Sequence, residues 1–259
     1  MIISENSHEN TEKSANHWLF WAVFAAFSAF VFANSLVLML NGLLNKYEVD
    51  IPVYLKTALG TSTPPFFMVA AVTGVAYLAG KRRAFAGVCR LRNWKFYYIP
   101  EGAGLQLVFF IPLTLISLTM MQIVSKLKQL YPGLVNILLK SSNAVQHFAL
   151  NSDWPSFACF AFAAVVIAPI GEEIIFRGVL FSFFRRHAGN TWATVCSAFI
   201  FAGCHLNFVQ FIPLFMLGVI FQQLYIRHKS IYPAMIYHSI NNSVAVAVLF
   251  ALKLGFKIT

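Results

Sequence analysis

The chain has 259 residues, 59% of them hydrophobic and only 11% charged, with a mean hydropathy of +0.69. A soluble domain carries about a quarter charged residues, so this composition excludes a soluble globular protein and defines a polytopic membrane protein. The net charge of +10 falls in short Lys/Arg clusters between apolar runs, which is the positive-inside pattern; a nucleic-acid binder would present that charge on a solvated face, so no nucleic-acid partner is expected.

Residues 1–17, MIISENSHENTEKSANH, are polar and acidic, unlike the basic start of a signal peptide. They read as a cytoplasmic tail. A spanning helix needs about 20 apolar residues. Runs of that kind cover 18–44, 58–80 (entered at Pro64-Pro65), 103–124 and 157–184. The stretch 188–226 is long enough for two spans with a tight reversal at 206–210, and 231–252 is the last. The expected fold is therefore an all-α polytopic transmembrane helix bundle of seven spans. Residues 126–155 mix polar and apolar side chains and read as an interfacial or re-entrant amphipathic helix. If that segment crossed the bilayer, the spans would number eight. No internal repeat is evident, and one integral domain is expected: 18–156 holds the first spans and the amphipathic segment, and 157–259 the catalytic core.

Loop charge sets the orientation. The densest basic loop, KRRAFAGVCRLRNWK at 81–95, should be cytoplasmic, as should Arg185-Arg186 and the RHK at 227–229. Seven spans place all three on one side, with the N-terminus inside and the C-terminus outside a plasma membrane. Cys89, Cys159, Cys196 and Cys204 form no CxxC pair and read as small packing residues.

Of nine acidic residues, Glu5, Glu9, Glu12, Glu48, Asp50 and Asp153 fall in tails or loops and Glu101 near an interface. Glu172 and Glu173 alone lie deep in a span, where an ionisable group costs roughly 2.5–3.5 kcal/mol. Glu173 and Arg177 share a helix face at i,i+4 and can pair. Glu172 lies about 100° further round and points elsewhere. Two histidines also lie inside spans: His205, one turn after Phe201, and His238, one turn before Asn242. At about 1.5 Å per residue, Glu172 and His205 sit about 20 Å from their cytoplasmic ends, and His238 and Asn242 roughly 10–17 Å. His187 and His228 read as solvated loop residues and His147 as interfacial. A buried carboxylate can act as general base on water, imidazoles can hold that water or relay its proton, and an amide can donate to an oxyanion. The Glu172, His205, His238 set would equally suit zinc.

The ordered trio EEIIFR (Glu172, Glu173, Arg177), FAGCH (Phe201, His205) and HSINN (His238, Asn242) resembles the CPBP family, also called the Abi or CAAX protease family. These are intramembrane peptidases with the pattern EExxxR, FxxxH, HxxxN on successive membrane helices. The resemblance covers about residues 157–252. It implies that Glu172 and His205 activate the attacking water, that His238 and Asn242 stabilise the oxyanion, and that Glu173, Arg177 and Phe201 support the site. The substrate it implies is a peptide or membrane protein within lipid, in a setting such as CAAX-type processing or bacteriocin self-immunity. Both a metalloenzyme and a metal-free glutamate mechanism are argued for the family; the absence of an HExxH motif leans against tightly bound zinc. Two rival functions remain at this point. A proton-coupled transporter would show inverted repeats, and a non-catalytic immunity or scaffold protein would tolerate loss of Glu172.

Overall fold

A computed structural model describes the backbone at residues 2–48, 51–91 and 94–256; side chains within 2–16, at 45, 58, 59, 61, 134, 137, 138 and at 140–144 lie outside the described set. Among the described residues every regular element is helical, with no strand. Five helices are long and apolar enough to cross a membrane: His17–Leu44, Val53–Leu78, Tyr98–Leu130, Trp154–Cys204 and Tyr232–Lys253. The chain is thus an all-α membrane protein by length and composition.

The helices are α1 (Ile2–Lys46), α2 (Val53–Leu78), α3 (Arg82–Cys89), α4 (Tyr98–Leu130), α5 (Pro132–Asn151), α6 (Trp154–Phe162), α7 (Ala168–Glu173), α8 (Phe181–Cys204), α9 (Phe211–His228) and α10 (Tyr232–Lys253). Two π-helical segments, π1 (Ala163–Ile167) and π2 (Ile174–Leu180), flank α7. The polar start of the chain forms the first part of α1.

Five is fewer than the expected seven, for two identifiable reasons. Trp154–Cys204 contains 51 residues, about 76 Å of helix, far more than one crossing. It reverses at Gly189, whose φ of 74° and ψ of 178° lie in a region open essentially to glycine alone. The reversal is proved by Ser197 Oγ, which donates to Phe176 O at 2.9 Å across 21 residues. Two of the expected spans are therefore joined there, and the Arg185-Arg186 pair sits within helix instead of a loop. The second reason is α9, which has 18 residues and closes on Arg227 and His228. Its separation from α8 by a turn over 205–210 is where the reversal was expected. Pro64 and Pro65 lie inside α2, not at its start.

The core is centred on π2. Ile175, Phe176 and Val179 are buried against Trp18, Leu19 and Ala22 of α1, Val72 of α2, Phe201 of α8, Phe221 of α9 and Tyr237 of α10. Ala22, Ala26 and Ala33 at 0–1% exposure mark the inward stripe of α1, where small residues let helices approach closely. Large apolar side chains such as Phe24, Leu38, Leu107 and Ile111 face outward, as suits a surface solvated by lipid. At Gly218 a Cβ would stand 3.0 Å from Ala198 Cβ and 3.1 Å from Ala198 Cα. Backbone cannot give way as a flexible side chain can, so Gly218→Ala should cost about 1–3 kcal/mol, read as a lowered melting temperature of the purified protein.

The three basic clusters meet at one end of the bundle. The Arg90 guanidinium lies 4.6 Å from the Tyr225 ring centroid, Tyr225 packs edge-on against Phe181, and Arg185 lies 5.6 Å from that Phe181 ring. His228 is not solvated as expected: its Nε2 stands 2.9 Å from Glu101 Oε1, tying the end of α9 to the start of α4. At the other end, Lys253 Nζ donates to the carbonyls of Ala149 (3.1 Å) and Leu150 (3.2 Å) and to Ser152 O, anchoring the C-terminus of α5 to α10. Asp153 caps α6 by accepting from Ser156 N at 2.9 Å. Hydrogen bonds from Ser156 hold the Asp153 carboxyl below the usual range.

Candidate active site

Glu172 and Glu173 close α7, between the two π segments. A π segment packs an extra residue into its turn and is frequent where a helix serves a site. Here its cause can be named. In π1 the Ala168 N–H bonds Ala163 O. The next bond in that series would run from residue 169 to Ala164 O, but Pro169 has no N–H. Asn242 Nδ2 of α10 supplies the missing donor, reaching Ala164 O at 2.8 Å. Asn242 was expected to face the reacting atoms; one of its two amide N–H groups is instead committed to helix backbone. Restoring an N–H at 169 makes the Asn242 amide less necessary. In a double-mutant cycle, Asn242→Ala should destabilise less in a Pro169→Ala background, with a coupling of about 1 kcal/mol measured by thermal unfolding.

The two carboxylates divide as the spacing predicts. Glu173 is fully buried and its Oε1 stands 3.0 Å from Arg177 Nη1, a close ion pair without a hydrogen-bond angle. Arg177, 1% exposed, is held further by Gly218 O at 3.3 Å and lies over the Phe201 and Phe221 rings at 4.5 and 5.0 Å. A buried guanidinium flanked by two aromatic faces and a carboxylate retains its charge at tolerable cost. Beyond the expected pairing, Glu173 Oε1 also stands 2.9 Å from His238 Nδ1. Sequence reasoning missed this link, because helix geometry gives the direction of a side chain but not its partner on another helix.

Glu172 is turned to a cavity, with a quarter of its side chain exposed. Its Oε2 lies 3.9 Å from His205 Nε2 and 3.9 Å from His238 Nε2, and is buried without a hydrogen bond. Both imidazoles are oriented through their other nitrogen. His205 Nδ1 is 2.7 Å from Phe201 O, so that nitrogen is the N–H donor and Nε2 carries the lone pair. His238 Nδ1–H donates to the Glu173 carboxylate, and its ring is stacked on Phe221 at 4.8 Å. Phe201 thus fixes His205 through its carbonyl while its ring packs against Arg177 and His238.

Two chambers open on this centre. One, about 290 Å³, is bordered by Glu172, His205, His238, Asn241 and Asn242 together with Phe160 and Leu217. A smaller one of about 110 Å³ lies on the other side of Glu172 and His205, walled by Phe30, Pro64, Pro65, Met68 and Cys204. Pro64, Pro65 and Cys204 carried no functional signal in the sequence; the two prolines border the site because α2 packs against α6 and α7, and Cys204 because it closes α8 next to His205. Zinc would need its donors about 2 Å from one point. No group of three or more His, Cys, Asp or Glu stands at such spacing among the described residues. In this conformation the chemistry of the set is that of one carboxylate and two imidazoles.

Fold and site together define an all-α membrane protein with a cavity-lining carboxylate–imidazole centre. Residues 154–244 match the family model described as Type II CAAX prenyl endopeptidase Rce1-like, and that segment holds all three motifs. The resemblance drawn from those motifs is thus shown for this part of the chain. The membrane-embedded CAAX protease MroQ of Staphylococcus aureus (strain USA300) is 36% identical over 94 residues, which is 34% of this chain and 38% of that protein. The match therefore spans well under half of either protein. No solved structure matches the chain.

Proposed function

We propose that the protein is an intramembrane endopeptidase that hydrolyses a peptide bond with water activated by Glu172 and His205. The observation that carries this reading is the approach of Glu172 Oε2, which has no hydrogen bond, to His205 Nε2 and His238 Nε2 at 3.9 Å each. One water about 2.8 Å from each acceptor fits between Glu172 Oε2 and His205 Nε2. With both of its protons directed to these acceptors, its lone pairs are left for a carbonyl carbon.

Glu172 takes the proton as the C–O bond forms and returns it to the leaving nitrogen as the C–N bond breaks. His238, protonated at both nitrogens with Glu173 as counter-charge, donates from Nε2 to the tetrahedral oxyanion. The second N–H of Asn242 adds to that donor set. Arg177 balances the charge of Glu173 and keeps it at His238. The substrate is a peptide or membrane protein reached from the lipid. We further propose seven crossings, with α9 as a short span and the basic end of the bundle in the cytoplasm, as the gathering of Arg90, Arg185 and His228 at one end supports.

The test is cleavage of an apolar peptide pool by protein reconstituted in lipid vesicles, read by mass spectrometry. Wild type should generate new termini, and His205→Ala and His238→Ala should each slow their appearance by about 10²-fold or more. Equal cleavage by all three proteins would defeat the assignment.

A further inference from the structure

Beside the site chamber lies a larger one, about 610 Å³, with which it shares His205, Leu214, Asn241 and Asn242. Its lining is rich in side-chain amides drawn from four different elements. Gln106 comes from α4, Gln146 from α5, Gln210 from the turn before α9, and Asn241 from α10. Gln106 is 8% exposed, and its Oε1 is buried with no hydrogen bond. A buried amide oxygen without a partner lowers stability, so its presence in the apolar stretch around Leu105–Phe110 of α4 calls for a ligand that satisfies it. Gln210 lies beside Ser117, whose Oγ stands 3.3 Å from its side-chain amide.

A peptide bond inside a helix is shielded from attack, so a substrate must be locally unwound before a water can reach its carbonyl. Unwinding frees N–H and C=O groups, and in a lipid-surrounded site each one left unpaired is costly. Proteins commonly satisfy an extended peptide with a sheet edge, but the described residues contain no strand. A primary amide carries both donor and acceptor and can replace the partner that a strand would provide.

We infer that this amide-lined chamber binds an unwound, extended segment of the substrate through its backbone, with Gln106, Gln210 and Asn241 as its principal partners. The inference rests on the proteolytic reading above and assigns the substrate conformation that the site accepts. Gln106 is then a binding residue kept at a cost to stability.

The experiment uses full-length Glu172→Gln protein in lipid nanodiscs and two dye-labelled pools of apolar 12-residue peptides built from Ala, Leu, Val and Phe. The pools have the same composition, and one carries N-methyl groups at the four central residues, which removes backbone donors. Fluorescence anisotropy should show the unmethylated pool binding about tenfold more tightly. Gln106→Met and Gln210→Met should each weaken that binding about fivefold to tenfold, the loss of one hydrogen bond, and leave the methylated pool unchanged. Gln106→Met should also retain or raise the melting temperature, which separates lost binding from lost folding. Equal binding of the two pools, no binding of either, or full affinity in both variants overturns the inference. Selective binding by the Glu172→Gln protein with no cleavage by wild type would leave the amide chamber standing and remove the proteolytic reading instead.

Discussion

Replacing Glu172 by glutamine should lower peptide hydrolysis by about 10²–10⁴-fold, the range attributed to a positioned general base, with little change in melting temperature. The two halves of that expectation have separate causes. Glu172 Oε2 makes no hydrogen bond in the folded chain, and glutamine has the same shape, so no packing and no hydrogen bond is lost. What is lost is the capacity to take a proton from water between Oε2 and His205 Nε2. The loss should appear in kcat more than in KM, because the carboxylate acts on the transition state and not on the bound peptide. A Glu172→Gln protein that melts normally and cleaves normally would show that the residue is a structural polar group. A non-catalytic scaffold makes that prediction.

The second large effect concerns stability. Arg177→Met should destabilise the protein by about 3–5 kcal/mol, because it leaves the Glu173 carboxylate charged, buried and without its guanidinium partner. Glu173→Gln alone strands the guanidinium in the same way. The double variant Glu173→Gln/Arg177→Met contains no buried charge from this pair, and the glutamine carbonyl oxygen can still accept from His238 Nδ1. It should therefore recover most of the lost stability. Thermal unfolding of the four proteins in detergent measures this directly. Activity should not recover in parallel, since His238 in the double variant lacks the counter-charge for the form that donates to an oxyanion. Recovery of stability without activity would separate the role of Glu173 at His238 from its role as a partner of Arg177.

Much of the site was legible in the sequence because its logic is helical. The i,i+4 spacing of Glu173 and Arg177 fixes a shared face wherever the helix turns, and the offset of Glu172 directs it elsewhere. The separation of α8 from α9 was legible too, since 188–226 is too long for one crossing. The reversal at Gly189 was harder to place, because Arg185 and Arg186 look like a loop while the helix continues through them to the glycine. The π segments were not legible. Pro169 removes an N–H from the helix, yet the helix is maintained because an amide 73 positions away, at Asn242, replaces the lost donor. For the same reason the Glu173–His238 contact escaped notice: it depends on how α7 and α10 face each other. The contribution of α2 carries no sequence pattern, as Pro64 and Pro65 reach the site through packing alone.

In the proposed reaction Glu172 drives water into a peptide bond inside the membrane. The most direct measurement is cleavage of an apolar peptide pool in ¹⁸O-labelled water by reconstituted wild type and Glu172→Gln, with products weighed by mass spectrometry. Every new carboxyl terminus from wild type should carry one ¹⁸O, and Glu172→Gln should yield almost none of these products. Cleavage by Glu172→Gln at the wild-type rate, or wild-type products without the label, would contradict the proposed reaction.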